Sequence, residues 1–394
     1  MVGESTLAKS APGRRLRLGM VGGGQGAFIG GVHRIAARLD GRYELVAGAF
    51  SSTPERSKAS GAELGVDPAR CYGSFAEMAA AEKARDDRID VVSIVTPNDT
   101  HWPAARAFLE AGIHVICDKP MTTTLADAKA MADLVDRSGC VFVLTHNYTG
   151  YPMVRQARAM VEEGQLGTVR VVQAEYAQDW LTTKLEDTGQ KQAAWRVDPK
   201  RSGPAGCTGD IATHAMNLAA FITGLKLESL AADLTTFIPG RALDDNAHIM
   251  LRFEGGAKGM LWASQVAPGN ENCLRIRVYG DKGGLTWAQE DPNYLHFAPY
   301  GEPPRLIRRG GAGSAPVAGR VTRIPSGHPE GYLEGFANIY SDAALLIRAS
   351  LEGRMPDAGA LLLPTVQDGV AGVKFIEAVV ESSGKDGAWV SARA

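Results

Sequence analysis

Three residues of this chain have the types and spacing that proton transfer at a hydroxyl group requires. Asp210 and His214 are four positions apart at the start of a predicted helix, residues 208–222, so both project from one face of it. Thr208 or Gly209 can cap this helix, whose dipole lowers the pKa of a nearby imidazole and favours a neutral base. Lys119 follows a predicted strand, and its ammonium group can donate a hydrogen bond to the oxygen of that hydroxyl group.

Each of these residues also has a structural interpretation. Lys119 can be an ordinary surface lysine, and Asp210 with His214 can be a helix-capping pair. Cys207, Asp210 and His214 together contain metal-ligand types, but the chain offers no convincing further ligand near them. We expect no metal site.

A glycine-rich segment follows the first predicted strand and precedes the first predicted helix. It reads G-x-G-x-x-A from Gly22 to Ala27, which lets the backbone approach a pyrophosphate at a helix N-terminus. Gly30-Gly31 then suggests a loop longer than usual. The cofactor-binding residues expected here are Gly22, Gly24, Gln25, Gly26, Ala27 and Phe28.

The end of the second predicted strand bears on the choice of cofactor. A carboxylate at this position would grip the ribose 2′-OH of NAD, but the strand end has Ser51 and Ser52, with Arg56 nearby. Hydroxyls and a guanidinium suit a 2′-phosphate, which favours NADP slightly over NAD. Alternatively, the two serines bind a neutral ribose and Arg56 is a solvated helix residue.

Two further strand ends point at the same crevice, because ligands of such sheets bind outside the carboxyl ends of the strands. One turn runs from Thr96 to His101, and the other is Asp118-Lys119-Pro120. A proline stops each strand and rigidifies each turn. The cofactor-binding residues expected from these turns are Thr96, Pro97, Asn98, His101, Asp118 and Lys119.

The elements that must position these residues alternate between strand and helix over residues 15–146. This order predicts an α/β fold, a doubly wound parallel sheet of the Rossmann type. The predicted strands are 16–21, 43–50, 89–95, 114–117 and 141–145. The predicted helices are 28–39, 54–64, 74–83, 101–110 and 125–137.

Beyond residue 147 the pattern changes to strands joined by turns, which indicates an antiparallel meander in an α+β substrate-binding and oligomerisation domain, residues 147–394. Residues 299–316 are expected to form a long excursion or a partner contact. The predicted strands are 168–178, 234–238, 248–253, 260–266 and 274–279. The predicted helices are 208–222, 333–350 and 366–381.

Composition excludes several classes of function. At 394 residues the chain is long enough for two domains, and a net charge of −2 without basic clusters gives no reason to bind nucleic acid. No apolar run reaches membrane-spanning length. Five scattered cysteines indicate reduced thiols and a cytoplasmic location. Residues 1–14 are interpreted as a disordered tail, since no apolar segment accompanies Arg14-Arg15 as an export signal would require.

The combination of these motifs resembles the glucose–fructose oxidoreductase/inositol dehydrogenase/MocA (Gfo/Idh/MocA) family. The resemblance implies an open C-terminal sheet used for a homodimer or homotetramer. It also implies Lys119 and His214 as catalytic pair, with Asp210 binding or orienting substrate. The family usually has Glu where this chain has Asp118, and that change keeps Lys119 in place. Three further segments, residues 145–148, 191–196 and 327–332, look most like its sugar and cyclitol dehydrogenases.

A polyol site needs aromatic faces for C–H surfaces and fixed polar groups for hydroxyls. The expected substrate-binding residues, besides Lys119, Asp210 and His214, are His146, Tyr148, Gln178, Trp180, Trp195, Arg196 and His328. The predicted function is NAD(P)-dependent oxidation of a secondary hydroxyl. Two alternatives are a transhydrogenase with a non-dissociating cofactor and a non-catalytic dinucleotide-binding regulator.

Overall fold

The computed structural model describes residues 13–394. Of the predicted tail, residues 1–12 lie outside the described part of the chain. Arg14 is described, and its guanidinium forms an ion pair with Asp90 at 2.6 Å. Leu16, two residues later, is already the first buried residue of a strand.

The first sheet has five parallel strands in the order β2-β1-β3-β4-β5, which confirms the predicted doubly wound domain. Its central strands are buried on both faces and therefore read as continuous apolar runs. The strands are β1 (Leu16–Gly22), β2 (Tyr43–Ala49), β3 (Val91–Val95), β4 (His114–Cys117) and β5 (Phe142–Leu144). The helices are α1 (Phe28–Leu39), α2 (Pro54–Glu63), α3 (Phe75–Lys83), α4 (His101–Glu110) and α5 (Leu125–Ser138).

The second sheet has nine strands in the order β13-β12-β11-β10-β6-β9-β8-β7-β14. Every neighbouring pair is antiparallel except β6 and β9, which are parallel. The strands are β6 (Val169–Ala177), β7 (Leu227–Thr235), β8 (Asn246–Phe253), β9 (Lys258–Ser264), β10 (Cys273–Gly280), β11 (Gly283–Ala288), β12 (Tyr294–Pro299), β13 (Arg305–Arg308) and β14 (Val390–Ser391).

Three predictions for this region were wrong in detail. The strand expected at 234–238 instead runs from Leu227 to Thr235, and Leu230, Ala232 and the partly buried Leu234 pack against the core. The segment 299–316 is not a pure excursion, since it contributes edge strand β13. Strands β11 and β12 were missed, although their buried residues alternate with partly buried or exposed ones as strand patterning requires.

The remaining helices include two that were predicted and one that differs. The helix expected at 208–222 begins as a π-helical turn, Thr208–Ala212, and only then continues as α9. The helices are α6 (Pro152–Glu162), α7 (Lys191–Arg196), α8 (Pro199–Ser202), α9 (Thr213–Thr223), α10 (Pro316–Gly319), α11 (Tyr332–Leu351) and α12 (Val366–Ser383). Short 3₁₀ turns lie at Pro68–Arg70, Asn98–Thr100, Asn147–Gly150, Leu185–Thr188 and Ala358–Leu361.

Helix α11 belongs to the second half of the chain but packs on α1 and the first sheet. The Tyr340 hydroxyl lies 2.8 Å from Nδ1 of the buried His33 and 2.7 Å from Oγ of Ser93. The Tyr43 hydroxyl donates to the Tyr340 carbonyl at 2.7 Å. This packing joins the second half of the chain to the first sheet.

The second sheet is covered on one face only. Helix α9 packs on β6 and β10, and the core between them is apolar. On the opposite face, cross-strand neighbours expose large apolar side chains. The most exposed of these are Val171, Met250, Met260, Tyr279 and Leu306.

Two further observations concern membrane-spanning helices and the state of the cysteines. Among residues 13–394, no helix is both long and apolar enough to cross a membrane. All five cysteines are free thiols, and four of them are buried, with Cys273 partly exposed.

Candidate functional site

A cavity of about 1350 Å³ lies between the carboxyl ends of the first sheet and the helical face of the second. It brings together most of the residues predicted from the sequence. The predicted residues on its wall are Gly22, Gly24, Gln25, Gly26, Ala27, Phe28, Ser51, Ser52, Arg56, Thr96, Pro97, Asn98, Asp118, Lys119, Tyr148, Gln178, Trp180, Trp195, Arg196, Asp210 and His214.

The glycine loop leaves no room for side chains where the chain turns from β1 into α1. A Cβ on Gly24 would lie 2.6 Å from both the Phe50 carbonyl oxygen and the Ser60 hydroxyl, and one on Gly30 would lie 2.3 Å from the Gly23 Cα. Both Gly30 and Gly31 lie within α1, so the loop is not longer than usual, contrary to the sequence expectation. Gly30 is needed because α1 packs directly on the loop.

The N-terminus of α1 opens into this cavity and fits a pyrophosphate. Its cap residue, Ala27, has no side chain that could accept a hydrogen bond, and the first turn contains no acidic residue. The first N–H groups of a helix have no intrahelical acceptor, so they are available to an anion. The donor set therefore matches the phosphate groups of a dinucleotide.

Beside the end of β2, the cavity wall carries Ser51, Ser52 and Arg56. The carboxylates on the wall lie elsewhere. They are Asp118, Asp198, Asp210 and Glu271. A 2′-phosphate bound beside Arg56 would thus meet no carboxylate from the end of β2.

The turns that follow strands β3 and β4 position the residues at the centre of the site. Asp118 accepts hydrogen bonds from the Lys119 amide and the Thr145 hydroxyl, both at 2.9 Å, which fixes the turn that carries Lys119. The ring of His101 lies between the Thr96 and Pro120 carbonyl oxygens, at 3.0 and 2.8 Å, and joins the two turns. His101 does not reach the cavity wall, so it positions the turns rather than contacting the cofactor as predicted.

The Asp210 carboxylate is the charged centre of the site. One oxygen accepts from Lys119 Nζ at 3.0 Å, and the other accepts from Arg196 Nε at 3.1 Å and Gln265 Nε2 at 2.9 Å. Burial alone would raise the pKa of this carboxyl, but the charges of Arg196 and Lys119 outweigh burial and lower it below its ordinary value. Asp210 is therefore ionised, and it orients Lys119 and Arg196 rather than His214.

The π-helical turn around Asp210 is anchored by Asp244 rather than capped by its own side chains. The Asp244 carboxylate accepts from the Thr208 amide at 2.9 Å and the Thr208 hydroxyl at 2.7 Å. Thr208 therefore does not cap the helix as expected. The Cys207 thiol also points at Asp244, at 3.1 Å. No group of three or more metal-ligand side chains is assembled anywhere in residues 13–394.

His214 is packed among aromatic rings on the wall of the cavity. Its ring centroid is 5.0 Å from that of Tyr148 and 5.3 Å from that of His146. Burial lowers the pKa of His214 well below its ordinary value, and the nearby Lys119 and His146 lower it further. The imidazole is neutral at neutral pH, as predicted, but burial rather than the helix dipole is the main cause.

His146 lies behind His214 and does not reach the cavity wall. The Nδ1 atoms of the two rings are 3.4 Å apart, so His146 is placed to orient His214 rather than to contact substrate. Burial lowers the pKa of His146 to about 3. His328, also predicted to bind substrate, is exposed and lies off the cavity, with its backbone carbonyl bonded to Arg309.

Aromatic and amide side chains form the wall opposite the glycine loop. The Arg196 guanidinium lies 4.4 Å from the Trp195 ring centroid and 5.9 Å from that of Trp180. Trp180 Nε1 donates to Gln178 at 3.0 Å, and Gln178 donates to Asn272 at 2.7 Å. This arrangement offers apolar ring faces beside fixed donors and acceptors.

Several site residues were missed by sequence reasoning. The Tyr176 hydroxyl bonds Tyr148 at 2.5 Å and Asn272 at 2.7 Å. Strand alternation in β6 could have found Tyr176, because it lies two positions before Gln178. Asn272 and Gln265 lie in or next to turns, where no periodic signal marks them. Lys191 begins the segment 191–196 that the family resemblance singled out, but no role was predicted for its side chain.

Two family models match the two halves of the chain. A family model described as an oxidoreductase family with an NAD-binding Rossmann fold matches residues 16–146. A second model, the GFO/IDH/MocA C-terminal domain, matches residues 154–286. An uncharacterized oxidoreductase of Bacillus subtilis is 38% identical over 98% of both chains. Levoglucosan dehydrogenase of Pseudarthrobacter phenanthrenivorans is 28% identical, with 96% of this chain and 98% of that protein covered.

Solved structures show the same architecture. An oxidoreductase from Sinorhizobium meliloti is 58% identical, with a TM-score of 0.88 over 96% of this chain and all of that one. An inositol dehydrogenase homolog from Azotobacter vinelandii, complexed with NADH and myo-inositol, is 38% identical, with a TM-score of 0.89 over 96% of this chain and 98% of that one.

The packing of the glycine loop predicts opposite outcomes for two adjacent glycines. Gly30→Ala should lower the free energy of unfolding by about 1–3 kcal/mol, because the new methyl group meets the Gly23 backbone. Gly31→Ala, whose methyl group would meet only the end of Arg34 at 3.9 Å, should raise it by about 0.5–1 kcal/mol through helix propensity. Urea denaturation measures both, and equal effects would show that the close contact does not matter.

Proposed function

The chain belongs to the Gfo/Idh/MocA family of oxidoreductases, and from this we propose that it oxidises a secondary hydroxyl of a sugar, anhydrosugar or inositol to a ketone. The observation that carries the proposal is that Lys119 and His214 line one cavity with the dinucleotide loop. A bound nicotinamide would supply the hydride acceptor.

The side chains divide the proton chemistry between them. Neutral His214 accepts the hydroxyl proton, which only an unprotonated imidazole can do. Lys119 donates a hydrogen bond to the same oxygen and stabilises the negative charge that develops on it. Asp210 holds Lys119 in place through its 3.0 Å ion pair. These roles need no further acid or base from the rest of the cavity.

The substrate class follows from the wall opposite the glycine loop. Ring faces of Trp180 and Trp195 can cover the C–H surface of a pyranose or cyclitol. The Arg196 guanidinium and the Gln178 amide supply donors for its hydroxyls. The relatives named for levoglucosan and inositol support this class of substrate.

For the cofactor, we propose that NADP binds at least as well as NAD. Ser51, Ser52 and Arg56 stand on the wall where the ribose 2′ position is expected, and no carboxylate from β2 opposes a phosphate there. The match to a family with an NAD-binding Rossmann fold supports a nicotinamide dinucleotide at this site.

For assembly, we propose a homodimer or homotetramer formed through the uncovered face of the second sheet. Val171 pairs across the sheet with Tyr279, and Met250 with Met260, so their exposed side chains form one surface. Contiguous apolar side chains on an open sheet face are typical of a subunit interface.

The proposed chemistry predicts the effects of two substitutions. With a panel of cyclitols, anhydrosugars and aldoses, the wild-type protein should reduce NAD or NADP. Lys119→Ala and His214→Ala should each cut turnover about 10²–10⁴-fold while leaving NADH affinity nearly unchanged. The double variant should lose less than the product of the single losses, because both groups act on one oxygen.

The dependence of turnover on pH tests whether His214 or Lys119 is the general base. Oxidation should fall with decreasing pH only in the range where His214 gains a proton, which lies below its ordinary pKa of 6.5. If His214→Ala keeps more than about a third of turnover with chemistry rate-limiting, the base is Lys119 instead. Nicotinamide that co-purifies and never dissociates would indicate the transhydrogenase, and binding without turnover on any substrate would indicate a regulator.

The cofactor proposal is tested at Arg56. Arg56→Ala should weaken NADP by roughly 1–3 kcal/mol relative to NAD, because a charged hydrogen bond to the 2′-phosphate is lost. Titration of intrinsic fluorescence with each cofactor gives both affinities. Equal weakening of NAD and NADP would show that Arg56 is a bystander.

The assembly proposal is tested by mass in solution. Light scattering at micromolar concentration should return at least twice the chain mass of 41.8 kDa. Met250→Asp should shift the protein towards the single chain, because a carboxylate would be buried without a partner. The mass of one chain for the wild-type protein would overturn the interface.

A further inference from the structure

Lys191 is a residue of the substrate-binding half of the chain that reaches the glycine loop of the other half. It begins α7, and its Nζ atom lies 3.4 Å from the position that a Cβ on Gly26 would occupy. Both residues line the same cavity. The lysine is exposed, and no carboxylate of the described chain forms an ion pair with it.

The surroundings of Lys191 do not neutralise its charge. The first turn of α1 has no acidic side chain. The Glu63 carboxylate at the end of α2 accepts a hydrogen bond from the Gln25 side-chain amide of the loop. An unpaired ammonium therefore faces the end of a helix whose N–H groups already favour an anion.

We propose that Lys191 binds the diphosphate group of the dinucleotide and thereby fastens the segment 180–203 over the cofactor. The inference rests on the proposed dinucleotide site and adds a residue from the substrate half to it. The far end of the same segment is already fixed to the first domain, because Asn98 Nδ2 donates to the Ser202 carbonyl at 2.9 Å. Lys191 supplies a second attachment that forms only when the diphosphate is present.

This attachment has a consequence for the substrate wall. Trp195 and Arg196 follow Lys191 on the same short helix, so whatever holds Lys191 also limits the motion of these two side chains. Cofactor binding is thus expected to order the sugar-binding wall before the sugar enters.

The other lysines of the segment show why Lys191 is singled out. Lys184 is paired with Asp187 at 3.1 Å. Lys200 is exposed like Lys191 but does not line the cavity. Lys200→Ala is therefore a matched control that removes one positive charge from the same segment.

The test is a binding measurement that requires no turnover. Lys191→Ala should weaken NADH and ADP-ribose alike, by roughly 5- to 10-fold at low salt, because both contain the diphosphate. Adenosine, which has none, should compete with NADH equally well in the variant and the wild type. The deficit should shrink at high ionic strength, as expected for an exposed charge pair. Lys191→Arg should retain most of the affinity.

Amide hydrogen exchange measures whether the segment 180–203 becomes ordered when ligand binds. ADP-ribose should protect residues 185–198 in the wild type and in Lys200→Ala, and less so in Lys191→Ala at matched occupancy. The inference is overturned if Lys191→Ala binds ADP-ribose within twofold of the wild type, or if Lys200→Ala loses as much. If the wild-type protein binds neither NADH nor ADP-ribose, the proposed function itself fails.

Discussion

The buried ion cluster around Asp210 is the constraint on which the site depends. One carboxylate satisfies Lys119 from the first domain and Arg196 and Gln265 from the second. Removing a carboxylate from water is costly, and this cost is offset only when every partner is in place. The cluster therefore forms only when both halves of the chain are correctly docked. Helix α11, held to the first sheet through Tyr340, fixes that docking.

The sequence predicted the site best where residues of suitable chemistry occur at the regular spacing of a strand or a helix. Strand ends of the first sheet predicted the cofactor half, because parallel strands must deliver their carboxyl ends to one edge. The spacing of Asp210 and His214 predicted their shared helix but not their separate partners. The π-helical turn directs the carboxylate towards Lys119, and such a turn has no sequence signature.

The parts that could not be predicted depend on contacts distant in sequence. Asn272 joins the site through Tyr176 and Gln178, almost a hundred residues earlier in the chain. His328 has a residue type suited to sugars, but its position is set by the hydrogen bond that Arg309 donates to its backbone carbonyl. Residue type without a known position is thus a weak guide to a binding wall assembled from turns.

The charge balance of the cluster explains why a weakened base can still act. Lys119 and Arg196 flank the Asp210 carboxylate, and the neutral His214 lies beside this cluster on the same cavity wall. After burial, the positive field of Lys119 contributes to the lowered pKa of His214, while the Asp210 carboxylate opposes it. The same field favours an alkoxide and so lowers the pKa of a bound hydroxyl. Lys119 therefore lowers the pKa of the base and of the bound hydroxyl together, so the weakened base accepts its proton from a more acidic donor.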